Sequence, residues 1–555
     1  MSAILLDHDQ VPGLSAEDVI LAQWAIEEAR RLGATYAEAR WGLLETRRIR
    51  IKDQHVALLA HTNHRGLGLR VLVDGAWGFV SHPLQPPTGE TLVTPAGEDL
   101  LRGEIQPDET HPPISAIDDI FDVDLSARGP IQPHTAAFAY ARLKGTIISL
   151  AEAAVAMARA AAAHNRRPIQ LAPAAPQSGV WRTDRERDPF EVPLEEMVEY
   201  LMTAEKVSRQ AEKDLVSTET WLTAWRKAHW LCTSEGTLIL QEILECGGGL
   251  KCLAHTDGVT QERTYPGLRG CDCETGGYER LLAHELQKNA PRVAAEAVAL
   301  TTAPPCPSKV SDLVIDGSLA AIQIHETIGH AVELDRVFGS EESLAGGSHL
   351  TPDKLDWFRF GSDLINVSAD ATAALGLGSF GYDDEGTPAQ RVPIIKNGVF
   401  SGYLTNRETA GKLGILSGGA ARAQDWSHMP LIRMTNVNLA PGGWTFDKLI
   451  EDTENGFYFE TSKNPSIDHL RLNFFVAAEM AWEIRDGKKI RMYRDPAYGG
   501  ISYQLWRACD AITDYRHWRI WGIPNCGKGD PKQIGHVGHG ASPLRMRNVR
   551  IGSRS

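Results

Sequence analysis

Three tight-turn dipeptides lie between short apolar runs in this chain and limit how it can fold. Asp74-Gly75 lies within GLRVLVDGAWGFV, Asn397-Gly398 within RVPIIKNGVFSGYL, and Asp486-Gly487 within AWEIRDGKKIRMY. Such dipeptides favour the two-residue turns that join antiparallel strands, and the flanking runs have the composition of strands. The sequence therefore predicts β-hairpins in both its N-terminal and its C-terminal part.

Helical patterns lie between these hairpins. Apolar residues recur at helical spacing from Leu21 to Leu32, directly before Gly33, and longer helical runs cover IISLAEAAVAMARAAAAHN and ERLLAHELQKNAPRVAAEAVAL. Apolar spacing of this kind, ended by glycine or proline, is typical of helices packed on a core. The alternation of helices and hairpins predicts an α+β fold.

A proline-rich break near 304–307 indicates a domain boundary. We expect an N-terminal α/β domain over residues 1–300, with a helix packed on a sheet, and a C-terminal domain over residues 301–555. The second domain is expected to be mostly antiparallel sheet around one catalytic-looking helix. Residues 83–134 are rich in proline and have little periodicity, which predicts a surface insertion or lid.

Charge and termini exclude several classes of protein. The chain has 57 basic and 71 acidic residues, a formal charge of -14, whereas nucleic-acid binding needs a basic surface. The N-terminal stretch has no basic region before an apolar run, so we expect no signal peptide. The alanine-rich tract AEAAVAMARAAAA is expected to be too short to span a membrane. These features predict a cytoplasmic protein without a membrane or nucleic-acid partner.

The segment IQIHETIGHAVELD, residues 322–335, carries two histidines five positions apart. Ser318 is a plausible N-cap for the helix that contains it. In a regular α-helix, His325 and His330 would point about 140° apart, which is too far for one metal ion. A single π-type turn would align them, and Gly329 would ease that distortion. The pattern leaves both arrangements open until a third ligand is found.

Two residues compete for the role of third ligand. Cys526 lies in the glycine-rich loop WGIPNCGKGDP, and the charge of Lys528 would favour its thiolate. Glu333, three residues after His330, is the alternative, although it could equally hold an imidazole from outside the ligand sphere. A catalytic zinc site with three protein ligands and one open position would fit either choice.

Other polar clusters carry weaker predictions. Cys271 and Cys273 could join Cys246 and Cys252 in a structural zinc site, but the spacing fits none of the common patterns, so we expect ordinary thiols. The acidic run 383–385 could bind a cation, yet a solvated loop or sheet-edge turn is the favoured interpretation.

Four segments give the chain a family resemblance: HETIGHAVELD, YDDEGTPAQRVPIIKNGVFSGYL, HMPLIRMTNVNLAPG and NCGKGDP. With them, the chain resembles the TldD/PmbA family of zinc metallopeptidases, in particular its TldD-like half. The resemblance implies that His325, His330 and Cys526 bind zinc, that Glu326 is the general base, and that residues 301–555 form the metallopeptidase domain.

The resemblance also implies cleavage of unstructured peptides inside the enclosed cavity of a dimer. The partner would be a second copy or a PmbA/TldE-like subunit that has lost the metal motif. One departure from the family is GHVGHGASPL, where His536 and His539 stand in a loop that many relatives fill with apolar residues and proline. The two histidines are candidates for substrate binding, with a structural role as the alternative.

Three functional hypotheses follow. The first is a zinc-dependent peptidase in which Glu326 takes a proton from the attacking water. The second is a non-catalytic partner subunit, which would be expected to lack Glu326 or one of the three metal ligands. This chain keeps the glutamate and all three ligand residues. The third is hydrolysis of a non-peptide amide by the same centre.

Overall fold

The computed structural model describes residues 14, 16–83, 88–93, 133–165, 167–267, 270–341 and 346–553. Most of the proline-rich stretch 83–134, for which we predict an insertion or lid, lies outside these residues. The fold mixes helices with a larger share of strands, which confirms the predicted α+β class.

The α-helices vary from one turn to 30 residues. They are α1 (Ala16–Arg31), α2 (Pro133–Ala162), α3 (Leu194–Ala211), α4 (Glu279–Leu282), α5 (Leu286–Thr302), α6 (Gly317–Ile324), α7 (Leu334–Val337), α8 (Arg407–Leu413), α9 (Phe446–Glu451) and α10 (Ser502–Arg507). Between α6 and α7 the chain forms a π-turn (His325–Gly329) and a 3₁₀ turn (His330–Val332), and a second 3₁₀ turn covers Pro352–Lys354.

The strands of the N-terminal part form one sheet. They are β1 (Tyr36–Lys52), β2 (His55–Val73), β3 (Ala76–Pro83), β4 (Thr88–Val93), β5 (Ser178–Arg182), β6 (Leu215–Thr233), β7 (Leu238–Thr256), β8 (Val259–Tyr265) and β9 (Asp272–Thr275). The order is β3-β2-β1-β6-β7-β5, with β4 paired to β2 and both β8 and β9 paired to β7. All pairs are antiparallel except β5 with β7.

The remaining strands belong to the C-terminal part. They are β10 (Lys309–Ile315), β11 (Val367–Asp370), β12 (Arg391–Lys396), β13 (Val399–Phe400), β14 (Ala421–Arg422), β15 (Leu431–Ile432), β16 (Val437–Leu439), β17 (Asn455–Ile467), β18 (Asn473–Arg485), β19 (Lys488–Arg494), β20 (Pro496–Ile501), β21 (Cys509–Ile512), β22 (Arg519–Lys528), β23 (Gln533–Ala541) and β24 (Leu544–Ser553).

The C-terminal strands form a sheet that closes on itself. Its order is β10-β17-β18-β20-β24-β21, β19 pairs with β18, and β10 also pairs with β24. The β10–β17 pair is parallel, and the other pairs are antiparallel. Smaller sheets join β13-β12-β11-β16, β14-β15 and β22-β23. All eight residues of α6 are buried, so this helix is the centre of the C-terminal core.

The three predicted hairpin turns are confirmed. Asp74-Gly75 joins β2 to β3, Asn397-Gly398 joins β12 to β13, and Asp486-Gly487 joins β18 to β19. All six residues have positive φ, between 45° and 76°, as two-residue turns of this kind require. The local turn chemistry therefore determines where these strands reverse.

One helical segment, Leu143–Ala162, is long and apolar enough to cross a membrane, with a mean hydropathy of 1.3. The expectation that this tract is too short is therefore wrong. The helix packs closely on β3 at Gly78. A Cβ atom at this glycine would lie only 2.0 Å from the backbone oxygen of Ala154. Its buried face includes Ala151 and Ala158.

Two carboxylates of the acidic turn 383–385 are buried, contrary to the prediction of a solvated loop. Asp383 and Glu385 are 1% and 2% exposed. The carboxylate of Glu385 accepts a hydrogen bond from Arg70 on β2 at 2.8 Å and one from the backbone N–H of Arg407 at 2.7 Å. The turn thus ties the N-terminal sheet to the start of α8.

Candidate metal centre

The helix that leads into the motif begins at Asp316. Its Oδ1 accepts a hydrogen bond from the backbone N–H of Leu319 at 2.7 Å, which caps α6. Ser318, which the sequence indicates as the cap, instead donates its hydroxyl to the Asp316 carboxylate. The cap lies two residues earlier than predicted, and it fixes the start of the helix that carries the histidines.

A π-turn solves the spacing problem of the two histidines. The backbone N–H of His330 donates to the carbonyl oxygen of His325, an i to i+5 hydrogen bond. The ring centroids of the two histidines are 4.7 Å apart, and the rings are nearly perpendicular. The π-type arrangement is therefore confirmed, and the regular helix is wrong.

Gly329 serves this turn in a different way from that expected. Its φ of -53° is ordinary for a helix, so backbone freedom is not needed there. A Cβ atom at this position would instead lie 2.1 Å from the sulfur of Met434. Glycine is required because Met434 packs directly against the turn.

Strand β22 brings Cys526 to the two histidines. The Sγ atom lies 3.6 Å from Nε2 of His330, and the ligand atoms of all three side chains lie within 4.8 Å of one another. The exposed fractions of His325, His330 and Cys526 are 5%, 7% and 4%. Within the described part of the chain, this is the one group of three such side chains that could hold an ion.

Each histidine has an outer partner on its Nδ1 atom. His325 Nδ1 lies 2.8 Å from His539 Nε2, and His330 Nδ1 lies 2.9 Å from a carboxylate oxygen of Glu333. The Nδ1 atom of His539 in turn lies 3.2 Å from the backbone oxygen of Val437. Hydrogen-bonded partners of this kind fix the tautomer and the orientation of a metal-binding imidazole.

Glu333 occupies the outer position that the sequence left open as an alternative to ligation. It is fully buried, and its carboxylate contacts His330, Arg336 at 3.0 Å and Lys528 at 3.3 Å. Burial opposes its ionisation, yet the charges of Lys528, His330 and Arg336 hold its pKa well below the ordinary value. An ionised carboxylate on His330 makes that imidazole a better electron donor.

The charge of Lys528, which we expected to favour the Cys526 thiolate, is directed to other groups. Its buried ammonium group donates to Asp335 and to the backbone oxygen of Ile432, both at 2.7 Å. Burial raises the pKa of the Cys526 thiol, but the charges of His330 and Arg433 outweigh it, so that this pKa lies below its ordinary value. The thiolate is thus favoured by groups other than the neighbouring lysine.

A cavity of about 370 Å³ opens beside the three donors. Its lining includes Ile322, Glu326, Pro465, Arg471, Asn525 and Lys532. The carboxylate of Glu326 lies 3.8 Å from the guanidinium of Arg471, which the turn between β17 and β18 carries. Glu326 therefore faces the same space as the donors without being one of them.

The two histidines of GHVGHGASPL lie in the protein interior and not in the lining of this cavity. His539 is fully buried behind His325. His536 is buried against Glu245, with 2.5 Å between its Nδ1 atom and the carboxylate, and it also contacts Lys227. These contacts occupy both side chains within the protein and give no support to the prediction that they bind substrate.

The cysteines outside the centre form no second ion site in the described residues. All seven are free, and the sulfurs of Cys271 and Cys273 lie 3.8 Å apart. Cys246 and Cys252 are buried in the core, where burial raises the pKa of each thiol to about 12. The expectation of ordinary thiols fits this placement.

Zinc suits the donors that the chain presents. Imidazole nitrogen and thiolate sulfur are both donors that zinc binds, and catalytic zinc sites use three protein ligands and keep a fourth position open. The cavity beside the three donors would leave room for that position, and the outer partners hold both rings. His325, His330 and Cys526 would bind the ion, with His539 and Glu333 supporting them.

The comparisons with known proteins agree with this geometry. The C-terminal domain of the PmbA/TldA metallopeptidases matches residues 308–553, and domain 1 matches residues 37–84. A metalloprotease of Methanothermobacter thermautotrophicus is 31% identical over 388 residues, which cover 70% of this chain and 80% of that protein. A zinc metalloprotease TldD homolog of Saccharolobus solfataricus is 31% identical over 249 residues, covering 43% and 51%.

A solved structure shares the whole architecture. TldE from Thermococcus kodakarensis matches with a TM-score of 0.65 and 15% identity, over 96% of this chain and 100% of that chain. The matched domains and the Methanothermobacter thermautotrophicus relative indicate a metallopeptidase, and the grouped donors fit that class. The chain belongs to the TldD/PmbA family, as the domain matches and the archaeal relative establish.

Proposed function

We propose that this protein is a zinc-dependent peptidase that hydrolyses unstructured peptides. The observation that carries the proposal is the buried group His325, His330 and Cys526, whose ligand atoms lie within 4.8 Å of one another beside a cavity that also exposes Glu326. The name of the Saccharolobus solfataricus relative, a zinc metalloprotease, supports the choice of metal.

The residues of the site have separate tasks in this mechanism. A bound zinc ion would polarise the scissile carbonyl and lower the pKa of the attacking water. Glu326 accepts the proton of that water and later delivers it to the departing amine. Arg471, 3.8 Å from Glu326, orients the carboxylate toward the cavity. His539 and Glu333 keep the two imidazoles in place.

The form of the cavity supports extended substrates. A cavity of about 370 Å³ has room for a few residues of a peptide, whereas a folded domain cannot enter it. We also propose, from the family resemblance, that the chain acts in the cytoplasm as a dimer, with itself or with a PmbA/TldE-like subunit. Analytical ultracentrifugation of the purified protein, alone and with such a subunit, tests the dimer.

One protein offered in a folded and an unfolded form tests the proposed activity. Purified protein is assayed on a small disulfide-bonded protein in its native form and in its reduced, alkylated form, before and after removal of metal with 1,10-phenanthroline. We expect cleavage of the unfolded form alone, loss of cleavage with the chelator, and recovery with added zinc. Equal cleavage of both forms would contradict the substrate class, and cleavage that survives metal removal would contradict the mechanism.

A further inference from the structure

The cavity beside the metal centre carries more positive than negative side chains. Glu326 is its one carboxylate in the described lining, whereas Arg471 and Lys532 are both cationic. Arg471 has Glu326 as a partner at 3.8 Å. Lys532 is exposed, and no carboxylate of the described residues lies within 4 Å of its ammonium group. Its charge is therefore available to a ligand in the cavity.

The position of Lys532 depends on Gly527, the residue after Cys526. A Cβ atom at Gly527 would lie 2.5 Å from Cε of Lys532 and 3.4 Å from its Nζ atom. The lysine side chain thus lies across the bare backbone of Gly527, directly next to the thiolate ligand. A larger residue at this position would make the flexible end of the lysine side chain shift.

The charge balance favours an anionic ligand. Two cationic side chains and one carboxylate leave one positive charge, and a divalent ion on one thiolate and two neutral imidazoles leaves another. Because Coulomb interactions are strong in a partly enclosed site, a negative group in the substrate would be attracted to it.

We propose that Lys532 binds a carboxylate of the substrate next to the scissile bond, so that the enzyme prefers peptides with an acidic residue or the free C-terminus at that place. This inference rests on the proposed peptidase function and names its substrate class. Lys532 is then a specificity-determining residue that makes a charge-assisted hydrogen bond to the substrate.

Binding measurements test the preference without turnover. The Glu326→Gln protein, loaded with zinc, is titrated by calorimetry with peptide pairs that differ by Glu or Gln in the sequence, or by a free or amidated C-terminus. We expect about tenfold tighter binding of the charged member of one pair, which corresponds to about 1.4 kcal/mol. The pair that shows the difference tells whether the carboxylate comes from a side chain or from the chain end.

Substitutions of the lysine then assign the preference. In the Glu326→Gln background, Lys532→Met should bring the ratio of the Kd values for the charged and uncharged peptides to about one, while the Kd for the uncharged peptide stays the same. Lys532→Glu in the same background should favour a peptide with lysine in place of the acidic residue. Lys213→Met, at an exposed lysine that does not line the cavity, is the matched control and should change nothing. A preference that survives Lys532→Met, or equal binding within both pairs, would overturn the proposal.

The two proposals fail separately. Zinc-dependent cleavage of the uncharged peptides by the unsubstituted enzyme, with no preference in either pair, would refute the role of Lys532 and leave the peptidase function standing. Preferential binding of the charged peptides without any cleavage would refute the peptidase function and retain the carboxylate site.

Discussion

At the scale of single residues, the metal centre depends on which nitrogen of each histidine faces the cavity. The backbone oxygen of Val437 can only accept a hydrogen bond, so Nδ1 of His539 carries a proton and its Nε2 accepts from Nδ1–H of His325. Glu333 likewise accepts from Nδ1–H of His330. In its neutral form, each ligand histidine therefore offers the lone pair of its Nε2 atom to the ion.

Removal of the outer histidine should weaken the binding of metal. His539→Leu leaves Nδ1 of His325 without an acceptor, and we expect the Kd for zinc to rise about 10–100-fold. Competition with a chromophoric chelator measures this Kd. His539→Gln, whose side-chain oxygen can accept the same hydrogen bond, should restore most of the affinity. Unchanged zinc affinity in His539→Leu would show that this contact does not orient the ligand.

Substitution of the general base should separate binding from chemistry. Glu326 faces the cavity but is not one of the grouped donors, so Glu326→Gln should keep its zinc content and lose about 10²–10⁴-fold in kcat. Zinc content is measured by elemental analysis and kcat on an unfolded substrate. Glu199→Gln, on an exposed face of α3, serves as the control. Normal turnover in Glu326→Gln would end this assignment.

At the scale of elements, the spacing of the histidines made the π-turn predictable, and Glu333 was a candidate for the outer partner of an imidazole. The contacts of His539 and Arg471 were not predictable. Only a π-type distortion can align histidines five residues apart on one helix, so the motif itself contained the answer. The partners His539 and Arg471 come from strands and turns more than 140 residues away. No periodicity links such positions, because only tertiary folding brings them together.

Gly329→Ala should strain the π-turn through Met434. The added methyl group would overlap the sulfur, and overpacking of this kind costs about 1–3 kcal/mol. We expect a lower thermal midpoint and weaker zinc binding. Met434→Ala should be destabilising alone. The double variant should lose less stability than the sum of the losses in the two single variants. Strict additivity would show that the two residues do not compete for space.

At the scale of the whole molecule, the sequence predicted strands and hairpins but not the closure of the C-terminal sheet into a ring. The hairpins follow from turn dipeptides and local alternation, which a single segment contains. The ring of the C-terminal sheet requires β10 to lie between β17 and β24, which are far away in the chain. Such pairings depend on the complete core, and no local pattern specifies them.

A buried ion cluster between the N-terminal sheet and the C-terminal ring should make stability depend on pH. Arg263 of β8 donates to Glu479 of β18 at 2.9 Å. Burial raises the pKa of Glu479 from 4.5 to about 7, despite Arg263. Since the folded state then holds a proton that the unfolded state releases, stability falls as the pH rises from about 4.5 to about 7, by on the order of 3 kcal/mol.

Glu479→Gln mimics the protonated carboxyl group, so this variant should not show the loss of stability that Glu479 causes as the pH rises. Thermal midpoints measured from pH 5 to pH 8 should be similar for the two proteins at pH 5, and the variant should be the more stable one at pH 8. Glu199→Gln is again the exposed control. A variant that loses stability with pH as steeply as the unsubstituted protein would contradict the raised pKa.

The proposed metal centre requires Cys526 to be the third ligand, and a cobalt spectrum shows whether it is. Cobalt is substituted for zinc, and the near-ultraviolet spectrum is recorded for the unsubstituted protein and for Cys526→Ser, Glu333→Gln and Cys509→Ser. A sulfur-to-metal charge-transfer band arises only from thiolate ligation. We predict this band in the unsubstituted protein, in Glu333→Gln and in the control Cys509→Ser, another buried cysteine, and its loss in Cys526→Ser. A band that persists in Cys526→Ser, or a cobalt protein without one, would contradict the proposed metal centre.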